Sequence, residues 1–184
     1  MKKETIIKPS KPIIVKGILG CMIKLNKNQI DYGNLESKKE LKGFREQTKR
    51  HITIVGDKTL TKIENVLNKF PVSERKNKIA KLKSILKNLE WKFLQKDIYL
   101  INKKKYLGDR KILEHRKSYV RLIDMPDMYY FYHKLNILLK THISAQLPHI
   151  TLFTKGENPS REYFGISIPS KAAFKKLHPK KIKI

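Results

Sequence analysis

Two short segments of this chain alternate polar and apolar residues in the pattern of a half-buried strand. They are His51-Ile52-Thr53-Ile54 and His149-Ile150-Thr151-Leu152, about half the chain apart. Residues i and i+2 of a strand point to the same face. Each histidine is therefore predicted to share a face with its threonine, while the apolar pair points into a core.

Three longer segments carry apolar residues at the spacing of amphipathic helices. They cover about 59–70, 73–89 and 128–140, and Pro71 ends the first. Thr59 or Thr61 is the predicted N-cap of that first helix, because Glu64 follows Thr61 by the three residues of a capping box.

The remaining apolar runs predict further strands at Pro12–Leu25, Ser118–Ile123 and Tyr163–Ile168, and a strand or a hairpin at Trp91–Ile101. The coarse order of the elements predicts an α+β fold with an internal duplication, since each half has a His-Ile-Thr strand beside at least one helix. We expect residues 1–184 to form one domain, with lobes at about 12–90 and 91–170 and a basic tail at 171–184.

The net charge of the chain is +26, from 42 Lys and Arg against 16 Asp and Glu. Such an excess suits a polyanionic partner such as RNA. A compositional bias explains it equally well, because lysine dominates the basic residues and Ile and Asn are abundant. Both interpretations stay open on the sequence alone.

Several classes of protein are disfavoured by composition. The single cysteine, Cys21, excludes an intrachain disulfide and a cysteine-based metal cage. No apolar stretch approaches the roughly 18–20 residues of a membrane span. We expect a cytoplasmic monomer with no cofactor, no metal, no membrane association and no obligate protein partner.

The duplicated His-Thr pair predicts acid–base chemistry on a phosphodiester. Such a reaction needs a base to activate the attacking oxygen and an acid to protonate the leaving oxygen, and two imidazoles can hold these complementary states at one pH. His51 and His149 are the candidate catalytic residues. The hydroxyls of Thr53 and Thr151 are candidates to donate hydrogen bonds to the phosphate oxygens.

The other histidines lack this context. His142-Ile143-Ser144 resembles the motif, but it follows a predicted helix end and has no apolar continuation, so the helix dipole explains this histidine more simply. His115, His133 and His178 are assigned to the surface or to packing.

The paired motifs resemble those of the two-histidine (2H) phosphoesterase superfamily, which includes the RNA 2′,3′-cyclic phosphodiesterases of the 2′-5′ RNA ligase family. The resemblance covers His51 to Phe70 and Tyr119 to Phe153. It implies a bilobal fold, with two antiparallel sheets facing a central cleft and helices on the outside. It also implies hydrolysis of an RNA or nucleotide 2′,3′-cyclic phosphate to a 2′-phosphate.

This chain departs from the family pattern at two places. Ile54-Val55-Gly56-Asp57 follows the first motif, where many relatives carry an aromatic-leucine-glycine stretch. Thr154 stands where many relatives carry an arginine, which leaves Lys155 and Arg161 as candidates to bind the phosphate. The alternatives are a 2H enzyme acting on 2′-5′ linked oligonucleotides or RNA 3′ ends, a 2H enzyme acting on a cyclic ADP-ribose phosphate, and a non-catalytic RNA-binding protein.

Overall fold

The protein is an α+β fold built on a large antiparallel sheet. The structure, a computed structural model, describes residues 5–33, 35, 41–107, 112–157 and 165–182. Its strands are β1 Ile6–Ile7, β2 Ile13–Lys16, β3 Gly20–Lys24, β4 Arg45–Glu46, β5 His51–Val55, β6 Phe93–Leu107, β7 Ile112–Asp124, β8 His149–Gly156 and β9 Lys180–Lys181. Its helices are α1 Asp57–Leu67, α2 Val72–Asn88, α3 Pro126–Leu139 and α4 Lys171–Lys175.

The described strands pair into one sheet, not into the two sheets expected from the sequence. Their order is β1-β6-β7-β8-β5-β3-β2, with β4 added to β8 and β9 added to β6. Within this sheet β5 pairs with β8, where Ile52 lies opposite Ile150. This contact joins strands that, by the family resemblance, were expected to lie in separate sheets.

Strand alternation divides the apolar side chains between the two faces of the sheet. Ile52 and Ile150, both 0% exposed, belong to the main core together with the buried faces of α1, α2 and α3. On the opposite face, Ile101 and Val120 pack with Ile166 and Ile168 in a second, smaller cluster. Neighbouring residues of β7 show the division directly, since Tyr119 enters the main core and Val120 the second cluster.

The helices begin and end close to their predicted limits. α1 buries Leu60, Ile63 and Leu67, but it begins at Asp57, with Gly56 as N-cap. Thr61 therefore lies inside the helix, where its hydroxyl donates to the Asp57 carbonyl at 3.1 Å. None of the helices in the described ranges is long and apolar enough to cross a membrane.

All four strands predicted outside the motifs differ from the observed structure. β6 ends at Leu107 and not at Ile101, and β7 begins at Ile112 and not at Ser118. The segment Pro12–Leu25 is a hairpin of β2 and β3, because Gly17 adopts a left-handed conformation (φ 53°) that reverses the chain. Residues 165–168 form no strand, although Ile166 and Ile168 are buried as the alternation predicted. Their apolar side chains pack onto the sheet without joining its hydrogen-bond ladder.

The β5–β8 junction should carry a large share of the stability. We expect Ile150→Ala to lower the free energy of unfolding by about 2–5 kcal/mol, because it opens a cavity at a fully buried position. Urea denaturation measures the change. Ile137→Ala is the matched control, since Ile137 is 61% exposed on α3 and its loss should change stability by less than about 0.5 kcal/mol. Equal effects of the two substitutions would contradict the role assigned to the junction.

Candidate active site

The antiparallel pairing of β5 with β8 brings both His-Thr pairs together. With Ile52 opposite Ile150, the antiparallel register sets His51 opposite Thr151 and His149 opposite Thr53. The two isoleucines point into the main core, so all four polar side chains lie on the other face. Each histidine thus has its own threonine two residues along the strand and the other threonine across the ladder.

Both imidazole rings are held in the same way. The Nδ1 atom of His51 lies 2.8 Å from the carbonyl oxygen of Lys49, and the Nδ1 atom of His149 lies 2.8 Å from that of Leu147. A carbonyl oxygen can only accept, so Nδ1 carries a proton in each ring, and in the neutral form it is the protonated nitrogen. The Nε2 atoms are left for chemistry, as lone pairs in the neutral rings or as donors in the charged rings.

The four side chains line a single cavity of about 600 Å³. Its floor is the sheet face that carries them, and residues 165–169 form one of its walls. Polar and charged side chains around it include Lys16, Gln47, Lys49, Asp57, Lys58, Thr59, Gln146 and Ser167. The cavity is large enough for a nucleotide-sized ligand, with both histidines in reach of it.

The environment of His149 favours its neutral form. Burial lowers its pKa, and the nearby His51 lowers it further, while the hydrogen bond to the Leu147 carbonyl opposes the shift. A neutral imidazole with a free Nε2 lone pair is the state that a general base requires.

Hydrogen bonds around the motifs fix the strands that carry the rings. The Gln146 side-chain amide donates to the Thr53 carbonyl, which ties the segment before His149 to the strand of His51. Arg50, next to His51 in sequence, forms an ion pair with Glu46 and donates to the Tyr32 hydroxyl at 2.6 Å. The Gln146 contact restricts movement of one motif relative to the other, and the Arg50 contacts hold the residue next to His51.

Lys155, one of the predicted phosphate-binding residues, does not line this cavity. Lys155 is exposed, with its ammonium 5.9 Å from the centre of the Phe44 ring. The register of β8 against β7 shifts between Thr151 and Phe153, where β8 contains one extra residue. This bulge turns Lys155 to the face of the sheet opposite the cavity. Arg161 lies outside the described residues.

Sequence patterns gave no clear signal for several cavity residues. Gln47 and Gln146 belong to loops, and their side chains reach the cavity only through the tertiary fold. Lys49 could have been found, because it precedes His51 by two residues and so continues the polar face of β5.

Comparison of the chain with protein-family models, with curated proteins and with solved structures finds no match. Within the described ranges, no three His, Cys, Asp or Glu side chains are grouped so that they could hold a metal ion.

The environment of His149 can be tested by NMR titration of its ring. We expect a midpoint below the ordinary 6.5, because burial and His51 both disfavour the charged ring. Below pH 6.5 the unfolded chain binds a proton that the folded ring resists, so this residue should make stability fall as the solution is acidified.

In His51→Ala the midpoint should rise toward 6.5, since one of the two causes is removed. The ¹⁵N shifts of the neutral ring should show a proton on Nδ1. A midpoint above 6.5, or a proton on Nε2, would contradict this description of the site.

Proposed function

We propose that this protein is a metal-independent phosphoesterase that hydrolyses RNA-type phosphodiesters with two histidines. The observation that supports this most strongly is the cross-strand arrangement of His51, Thr53, His149 and Thr151 around one cavity. We further propose that the two motif strands belong to the halves of a duplicated, bilobal fold, and that the cavity is the cleft between the halves.

The proposed substrate is a ribonucleotide ending in a 2′,3′-cyclic phosphate. His149, as the base, takes a proton from water, and the resulting hydroxide attacks phosphorus. The bond from phosphorus to O3′ breaks, and His51, as the acid, gives its proton to O3′. The products are a 2′-phosphate and a free 3′-hydroxyl.

The roles of the two histidines follow from their surroundings and from the resemblance. The lowered pKa of His149 suits the base. The two threonine hydroxyls would donate to the non-bridging phosphate oxygens, where negative charge builds up in the transition state.

Activity should be detected with a panel of 2′,3′-cyclic mononucleotides and RNAs ending in a cyclic phosphate, assayed in EDTA. We expect ³¹P NMR to show a 2′-phosphate product without any added metal ion. Turnover that requires Mg²⁺ or Zn²⁺ would refute the mechanism, and tight RNA binding without any turnover would favour the non-catalytic alternative. The panel should include 2′-5′ linked oligonucleotides and a cyclic ADP-ribose phosphate, the other candidate substrates for this site.

Substitution of the histidines should separate catalysis from folding. We expect His51→Ala and His149→Ala each to lower kcat/KM by about 10²–10⁴-fold, the range for loss of a general acid or base. The double variant should lose little more than either single one, because the two groups act as a unit. Thr53→Ala and Thr151→Ala should have milder effects.

The control for this series is His142→Ala, an exposed histidine in the similar His-Ile-Ser sequence. It should retain full activity. Equal losses in His142→Ala and His51→Ala would show that the assay reports something other than the proposed pair.

The pH dependence of kcat/KM should be bell-shaped. The base must be neutral, so activity should fall as the pH is lowered through the depressed pKa of His149, placing the acidic limb below pH 6.5. The alkaline limb belongs to the acid of the pair, which must carry its proton. An acidic limb that stays unchanged in His149→Ala would show that another group is the base.

A further inference from the structure

The two motifs share the sequence His-Ile-Thr but differ in character at the position two residues before each histidine. Before His149 this position is Leu147, a buried residue of the second apolar cluster. Before His51 it is Lys49, an exposed residue that lines the cavity. A cation therefore flanks the catalytic groups on the His51 side, where the corresponding place on the His149 side is apolar.

The charge of Lys49 is not used within the described part of the chain. Its neighbour Arg50 points away and is paired with Glu46. Lys16 is another cation at the cavity, and its Nζ atom lies 3.0 Å from Oδ1 of Asp57. Lys49 contributes its carbonyl to the orientation of His51, but its ammonium has no ion pair among the described residues.

The chemistry of an RNA end gives a use for a cation at this place. In the proposed reaction His51 protonates O3′, so it lies on the O3′ side of the ribose. Carbon C4′ is bonded to C3′ and carries C5′, which bears the next phosphodiester of the chain. That flanking phosphate is therefore on the His51 side too, whereas a cyclic mononucleotide has an uncharged hydroxyl there.

We propose that Lys49 binds this flanking phosphate and makes the site select RNA 3′ ends over cyclic mononucleotides. The proposal rests on the proposed function for its chemistry, and it names a specificity-determining residue for it. In this proposal Lys49 contacts a part of the substrate that does not react, so its charge determines which substrate the site prefers.

Three substrates isolate the contribution of the flanking charge. The first is a cyclic mononucleotide with a free 5′-hydroxyl, the second is the same nucleotide with a 5′-phosphate, and the third is a dinucleotide with a cyclic end. We expect the second and third to have similar kcat/KM, each about fivefold or more above the first, as one ion pair in water provides. This advantage should shrink as salt is raised, because the contact displaces counterions.

Lys49→Gln should reduce the ratio between the second and first substrates to about one. Two lysine variants serve as comparisons. Lys58→Gln removes another exposed cation of the same cavity, beyond the far end of β5, and should keep the ratio. Lys83→Gln removes an exposed charge on α2, away from the cavity, and should behave as the original protein.

Binding measurements keep this proposal separate from the hydrolysis it rests on. A nucleoside 2′,5′-bisphosphate should bind more tightly than the nucleoside 2′-phosphate, and Lys49→Gln should abolish the difference. This binding outcome supports the role of Lys49 even if no substrate is hydrolysed. A lack of hydrolysis would refute only the proposed function. The proposal would be overturned if the original protein bound the two ligands equally. It would also be overturned if the difference in affinity disappeared in Lys58→Gln but remained in Lys49→Gln.

Discussion

The pairing of Ile52 with Ile150 sets the geometry on which the candidate site depends. Both side chains are fully buried in the main core, and a slip of one residue in either strand would move them onto the opposite face. The cost of exposing them therefore holds the register. With this register fixed, the neighbours of the two isoleucines are forced onto the other face, where His51, His149 and their threonines meet.

Two histidines divide the roles of acid and base more completely when their surroundings differ, and the fold makes them differ. Burial disfavours a charge on His149, and the two rings disfavour simultaneous charging of each other. The motifs also begin differently, with an exposed lysine before one ring and a buried leucine before the other. The antiparallel pairing thus places the two histidines in equivalent positions, and the residues around them make their environments differ.

The sequence predicted the local elements of this site well. Both motif strands begin at their histidines, and α1, α2 and α3 lie within a few residues of their predicted ranges. Alternation correctly assigned Ile52 and Ile150 to the core and their neighbours to a common face. These features depend on residues close together in sequence, for which the spacing of apolar residues directly predicts which side chains are buried.

The remaining features depend on contacts between distant parts of the chain. Nothing in the local pattern indicates that β5 and β8 are adjacent, and the two sheets implied by the family resemblance are one sheet in the structure. The shift in register that turns Lys155 away arises from the pairing of β8 with β7, and that pairing cannot be seen in the residues around Lys155. Gln146 donates to the Thr53 carbonyl across 93 residues of sequence.

The hydrogen bonds from the two rings to Lys49 and Leu147 have a consequence for design. Each ring is oriented by a carbonyl only two residues away, so a five-residue segment carries its catalytic group and the means of aiming it. We expect such a segment to keep its geometry when it is moved into another protein. Grafted onto two adjacent antiparallel strands whose central residues face a core, a pair of these segments should rebuild the same four-group surface in an unrelated scaffold.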